Sequence, residues 1–196
     1  MQTSFHSSSD DAVTALTVRW LERAVIGLNL CPFAKAVHVK QQIHYRVSRA
    51  TEDQEVLVQI EEELKALHAA DPAERDTTLL MVPDGFADFL DFNDFLHAAD
   101  RVLTSLGLEG ELQIASFHPQ FQFAGTAADD ITNYTNRAPF PTFHLIREDS
   151  IARAVEAFPQ AEMIFEKNIE TLEGMGHAGW KALELDVVPT SNGGKP

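Results

Sequence analysis

The sequence predicts an α/β (or α+β) fold: a single domain with a four-stranded mixed sheet, helices packed on it, and a long ordered loop between strands three and four. Three observations lead there. Strand-like and helix-like segments alternate along the chain, and strand–helix–strand units favour parallel pairing. One strand segment, "TTLLMVP" at 77–83, is almost continuously apolar, as a strand covered on both faces is. The stretch "FHPQFQFAGTAADDITNYTNRAPFPTFH" at 117–144 shows little regular period yet carries apolar anchors at Phe117, Phe121, Phe123, Ile131, Tyr134 and Phe140. Loops of that length are uncommon in compact domains unless functional or disordered, and the anchors argue for order.

The elements follow in order. Residues 1–9 are polar and Ser-rich and are expected to be loose; the domain spans 10–185, and the tail 186–196, with "SNGGKP", is expected to be flexible. From Asp10 or Asp11, Val13, Leu16, Trp20, Leu21, Ala24 and Leu28 recur at helical steps. Pro32 disfavours helix at Cys31, so this helix is predicted to end near Asn29 or Leu30. "IHYRVSR" at 43–49 is a strand. Thr51–Gln54 has the form of a capping box opening a helix whose inner face is Val56, Leu57, Ile60, Leu64 and Leu67. After the strand at 77–83, a helix runs from about Phe86 to Leu106 and stops at Gly107. "ELQIASF" at 111–117 and "TFHLIRE" at 142–148 are strands three and four. Helices are predicted at Ser150–Ala157 and from Pro159 to about Glu173, the latter broken by "GMGHAGW". The first three strands are expected to run parallel, or partly so, with the fourth antiparallel beside the third.

Composition excludes several classes of function. The 196 residues, 44% hydrophobic, suffice for a substantial core. No apolar run is long enough to span a bilayer, and the N-terminal residues lack the form of a signal peptide. Cys31 is the single cysteine, so no internal disulfide forms, and a cytoplasmic location is expected. A net charge of −15, with 15 basic residues against 30 acidic ones, argues against nucleic acid and against an anionic membrane surface. A small anionic or carbonyl-containing ligand is compatible, since a local Arg can hold it.

Ligands of open parallel sheets bind beyond the carboxyl ends of the strands. If strands two and three are parallel, Pro83–Gly85 and His118–Pro119 leave the sheet at one edge, where an antiparallel fourth strand begins. Arg137, Thr142 and His144 are then expected near His118. Leu112, Ile114, Ser116 and His118 share one face of strand three; Thr142, His144 and Ile146 share one face of strand four. Whether those faces coincide depends on the register. His118 is the candidate general acid or base, because imidazole titrates near neutrality. Asn133, Asn136 and Arg137 offer donors to a ligand, against the plainer role of Asn in turns and Arg in a surface ion pair. "AGT" at 124–126 could present backbone N–H groups to an anion.

Cys31 follows a helix C-terminus, which disfavours thiolate; a small buried hydrophobe is the plainer role and a nucleophile paired with His118 or His144 the sharper one. A two-His, one-carboxylate metal set from His118, His144 and Asp129 or Asp130 has no diagnostic spacing. His177, between glycines, could lie over a cleft, against the plainer role of a helix-terminating turn. No phosphate-binding loop, dinucleotide fingerprint or Gly-x-Ser-x-Gly elbow occurs. No motif assigns a reaction, a cofactor or an oligomeric state.

"VIGLNLCPFAKAV", "FHPQFQFAGT" and "TNRAPFPTFHLIRE" together resemble the signature segments of a bacterial family known as domain of unknown function 1415. The resemblance covers roughly residues 10 to 185. It implies a bacterial, cytoplasmic, single-domain protein and supplies no activity, cofactor or site. Two functional expectations stand: a small-molecule enzyme using His118, with Cys31 and His144 beside it, or a non-catalytic module that binds a ligand or partner. A metal site is the third.

Overall fold

Ser9 opens the chain's first helix, its hydroxyl accepting from the Ala12 N–H at 3.2 Å. The computed structural model describes residues 9–157 and 160–187; the expectations for residues 1–8, for Pro159 and for 188–196 lie outside them. Helix α1 covers Asp10–Trp20 and continues as a π-helical segment, Leu21–Ile26. The predicted single helix to Asn29 or Leu30 thus changes its winding partway. At Gly27 a Cβ would overlap the Arg23 carbonyl oxygen, so a side chain there is incompatible with the wide turn. Asn29, at φ 55, then turns the chain. A short helix α2, Ala34–Val39, follows; the sequence reading did not anticipate it.

Strand β1 is Ile43–Val47 and helix α3 is Asp53–Ala69. The expected capping box does not form. Glu52 is the N-cap, and no side chain caps it. Strand β2, Thr77–Met81, is buried at every residue. Helix α4, Phe89–Ser105, is capped by Asp88, whose carboxylate accepts from the Leu90 and Asp91 N–H groups. Strands β3, Leu112–Phe117, and β4, Thr142–Arg147, flank the long loop, which contains a 3-10 helix at Ile131–Asn136. Helix α5, Glu148–Ala157, follows β4 directly, and α6 spans Ile164–Lys181. The break expected at "GMGHAGW" falls at Gly176, whose φ of 60 leaves the helical range, and a further helical stretch follows it to Lys181. Glycine alone takes that backbone geometry without strain.

The sheet order is β1-β2-β4-β3. β1 and β2 are parallel, and β4 is antiparallel to both its neighbours. The first three strands therefore point the same way, as expected, but β4 is inserted between β2 and β3. Residues opposed across a ladder share a face. Tyr45, Leu79, His144 and Ala115 consequently lie on one side of the sheet, and Leu80, Phe143 and Ser116 on the other.

Both sides are covered, which is why β2 is wholly apolar or hydroxylated and fully buried. Val56, Ile60, Leu64 and Leu67 of α3 and Phe92, Phe95 and Ala99 of α4 pack with Leu80, Phe143 and Leu145 in the larger core. On the opposite side Val13 and Leu16 of α1 pack with Leu79, Met81 and Phe140, and the π segment packs through Leu21, Ala24 and Val25. The result is a single α/β domain with helices on both faces of a mixed sheet. No described helix is long and apolar enough to cross a membrane.

Candidate functional site

The long loop is ordered, and the residues singled out in it hold it together. His118 is buried beside the rings of Phe89 and Phe92 of α4, at 5.5 and 5.2 Å. Its Nδ1 accepts from the Gln120 N–H at 3.0 Å, so the proton sits on Nε2, which donates to the Phe86 carbonyl at 2.8 Å. Both ring nitrogens are committed to backbone. Burial pushes the His118 pKa down, against the opposing pull of the Phe86 carbonyl. The neutral ring joins the start of α4 to the start of the loop.

His144 lies on the other side of the sheet. It is opposed to Ala115, and its ring meets Phe117, which in turn packs edge-on against Trp20 of α1. Thr77 Oγ1 donates to the Leu145 carbonyl and accepts from His144 Nε2 at 2.7 Å. Desolvation pushes the His144 pKa down to about 4. The sheet stands between the two histidines. The expected common hollow does not form around them, because β4 pairs with β3 in the register that puts Thr142, His144 and Ile146 opposite Phe117, Ala115 and Gln113 rather than with His118.

The remaining loop residues are equally engaged. Buried Asn133 accepts at Oδ1 from the Phe123 N–H and the Thr126 hydroxyl and donates from Nδ2 to the Ala127 carbonyl. Arg137 donates to the Phe121 and Ala128 carbonyls and lies 4.3 Å over the Tyr134 ring. Asn136 donates to the Ser116 carbonyl, and the Thr142 hydroxyl to that of Phe140. Asn133, Asn136, Thr142 and, through Nε and Nη2, Arg137 thus each donate to a backbone carbonyl. Thr126 of "AGT" likewise turns back onto Phe123. Asp130 accepts from Thr132, bonds that hold its carboxyl below the usual range. No group of three or more His, Cys, Asp or Glu among the described residues could hold a metal ion.

Cys31 lies on the α1 side, packed against the cluster of Trp20, Leu21, Ala24 and Val25, so the sheet also separates it from His118. No described hydrogen bond joins it to either histidine. Burial raises its thiol pKa, although the Phe33 and Ala34 N–H groups work the other way. It is a packing residue by its surroundings. His177, at the kink of α6, meets the Tyr134 ring at 5.5 Å, so this helix clamps the loop from outside.

One concavity does border the predicted region, on the side of the Cys31 turn. The π segment makes it. Its widened winding closes through the Leu30 N–H on the Val25 carbonyl, five residues back, and Asn29 turns the chain out beside α6. π-helical turns recur at functional sites. A cavity of about 290 Å³ results, walled by Leu28, Asn29 and Pro32 of the turn and by Ile164, Lys167, Asn168, Glu170 and Thr171 of α6. Asn168 is buried and joins the two walls, its Nδ2 donating to the Leu30 carbonyl at 3.0 Å. Its Oδ1 accepts no described hydrogen bond. The residue is buried as a whole, but this oxygen is not sealed off, so it stands open to a donor in the cavity.

The sequence analysis missed Asn168. The signal was present: Ile164, Asn168 and Leu172 sit at successive four-residue steps, so the amide interrupts an apolar stripe.

A family model described as "Protein of unknown function (DUF1415)" matches residues 12–182. No curated protein and no solved structure matches the chain.

Proposed function

The chain belongs to the DUF1415 family of proteins of unknown function, and from its own geometry we propose that it is a non-catalytic, cytoplasmic domain that binds a small amine-bearing molecule in the cavity between the Cys31 turn and α6. One observation carries this: buried Asn168 lines that cavity with its carbonyl oxygen uncommitted. The other polar groups of the walls favour the same chemistry. Glu170, Thr171 and Asn29 supply further acceptors, while Lys167 is the cavity's cation and donates to Gln160. A net charge of −15 raises the local concentration of cations around the molecule. The volume suits a ligand of amino-acid size. A purely binding role is supported by the engagement of His118, both of whose ring nitrogens bond to backbone, and by a thiol held protonated.

Thermal unfolding and calorimetric titration against L-amino acids, their N-acetylated counterparts and the matching carboxylic acids test the proposal. Amines are expected to stabilise the protein, by about 2.7 kcal/mol at a hundredfold excess over Kd. Acetylated and deaminated counterparts are expected to do nothing. Glu170→Gln, at an exposed position, is expected to weaken binding roughly tenfold. Asn168→Leu is expected to abolish it. No response to any amine, or an unchanged response in Asn168→Leu, overturns it.

A further inference from the structure

The outer edge of β1 is one of the two edges of the sheet, the other being formed by β3. β1 ends the sheet, and among the described residues no strand pairs with its other side. The ladder to β2 shows which groups are left over. Gln42 accepts from the Thr77 N–H, and the Ser48 N–H donates to the Met81 carbonyl. In a parallel ladder alternate residues bond to the same neighbour, so His44 and Arg46 face β2 with their backbone. Ile43, Tyr45 and Val47 turn their N–H and C=O groups outward. Three residues in this phase are a template for another strand.

Beside that edge runs a groove of about 470 Å³ between β1 and α3. Its helical wall is Glu55, Val58, Gln59 and Glu62, one face of α3 by spacing, and its strand wall includes Arg46 and Arg49. Three features of the walls describe a guest. Gln59 Oε1 is buried there without a partner, so an acceptor waits for a donor. Val58 is 46% exposed, an apolar contact. Charge favours a basic guest: Arg49 is already bridged to Asp10 and Asp84, and Arg46 lies 3.9 Å from Glu63, whereas Glu55 and Glu62 are exposed and have no described ion pair.

We propose that the groove between β1 and α3 takes an extended, lysine- or arginine-bearing segment of a partner protein, which adds as a strand to β1 and meets Glu55 and Glu62 with its charges. A sheet edge beside a helix is a recurrent way of binding extended peptides: main-chain bonds supply affinity and alternate side chains supply specificity. A second copy of this chain is disfavoured, because each copy carries −15 and β1 would set His44 and Arg46 of one copy against those of the other.

The probe is a synthetic ten-residue peptide of alternating lysine and valine, titrated into the full-length protein. Amide hydrogen exchange is read at Ile43, Tyr45 and Val47. Saturable binding with slowed exchange at those three amides is expected. A glutamate-for-lysine peptide should not bind. A peptide N-methylated on the residues that face β1 should lose binding, without any change to the protein. The double variant Glu55→Lys, Glu62→Lys should bind about tenfold more weakly, from two partly screened charge contacts. Gln59→Leu should weaken binding while leaving the free protein at least as stable, since it removes an unpaired acceptor. Equal binding of the N-methylated peptide would reduce the contact to unspecific charge attraction and overturn the proposal. So would absent binding, or protection of these amides by concentration-dependent dimerisation without any peptide.

Discussion

His144 makes the fold sensitive to acid, and the sign can be worked out. The ring is neutral in the folded protein because desolvation lowers its pKa to about 4, while the unfolded chain protonates it near 6.5. Between those values the unfolded state binds more protons, so stability is full above about pH 6.5 and falls as pH drops toward 4. The loss assigned to this one group is about 2–3 kcal/mol. His118, also lowered by burial, loses stability in the same direction. Denaturant unfolding at pH 7 and pH 4.5 checks this: His144→Leu is expected to shrink the difference between the two conditions by about 2 kcal/mol, and an unchanged difference would show that the ring is already solvated in the native state. The sequence made these histidines visible as strand-end residues and went no further. Alternation along a strand says which residues share a face of that strand, but the register between β3 and β4 is a tertiary choice. Shifting it by one residue would have put His144 on the side of His118. Asn168 was hidden for the opposite reason: an amide in a helix stripe usually reads as noise in the pattern.

At the scale of elements, the loop is stapled from within by Asn133 and clamped from outside by α6, through Trp180 and His177 against Tyr134. Asn133→Ala removes the inner staple and leaves the Phe123 N–H and the Ala127 carbonyl without that partner. Local opening should follow before global unfolding. Amide exchange over residues 121–128 is expected to speed up at least tenfold, with exchange in β2 and β4 changing much less; equal acceleration in the strands would make the loop one cooperative unit with the core. The existence and order of the elements were legible, because periodicity records which faces are buried. β2 was read as central from its apolar run, and α4 from its Phe residues. Its stop at Gly107 came from a φ that only glycine takes easily; the observed value is +69. What escaped was local. The π winding after Trp20 leaves the apolar spacing nearly unchanged, α2 is too short to show a period, and the helical stretch beyond the break at Gly176 was not anticipated. The insertion of β4 between β2 and β3 depends on where a long loop lands, and no local propensity encodes that.

For the whole molecule the dominant long-range term is self-repulsion. Thirty acidic residues face 15 basic ones. The described ion pairs answer only part of this: Arg49 bridges Asp10 and Asp84, Arg75 meets Glu63, and Arg19 and Arg23 share Glu184. The more exposed of these pairs, such as Arg23 with Glu184 and Arg49 with Asp10, contribute roughly 0–1 kcal/mol each, while Arg75 and Glu63 are partly buried. Salt weakens both terms, so the sign of its effect tells which is larger. The repulsion sums over many charges spread across the surface, whereas the attraction is confined to a few short contacts, which are screened less. Raising ionic strength from about 0.01 to about 0.5 M shortens the Debye length from roughly 30 Å to under 5 Å and removes the long-range repulsion first. The thermal midpoint at pH 7 is therefore expected to rise by several degrees over that range, in sodium and potassium chloride alike. A midpoint that falls would mean that the few bridges of Arg49 and Arg75 outweigh the excess of carboxylates. A rise with one cation only would point to specific cation binding instead of screening.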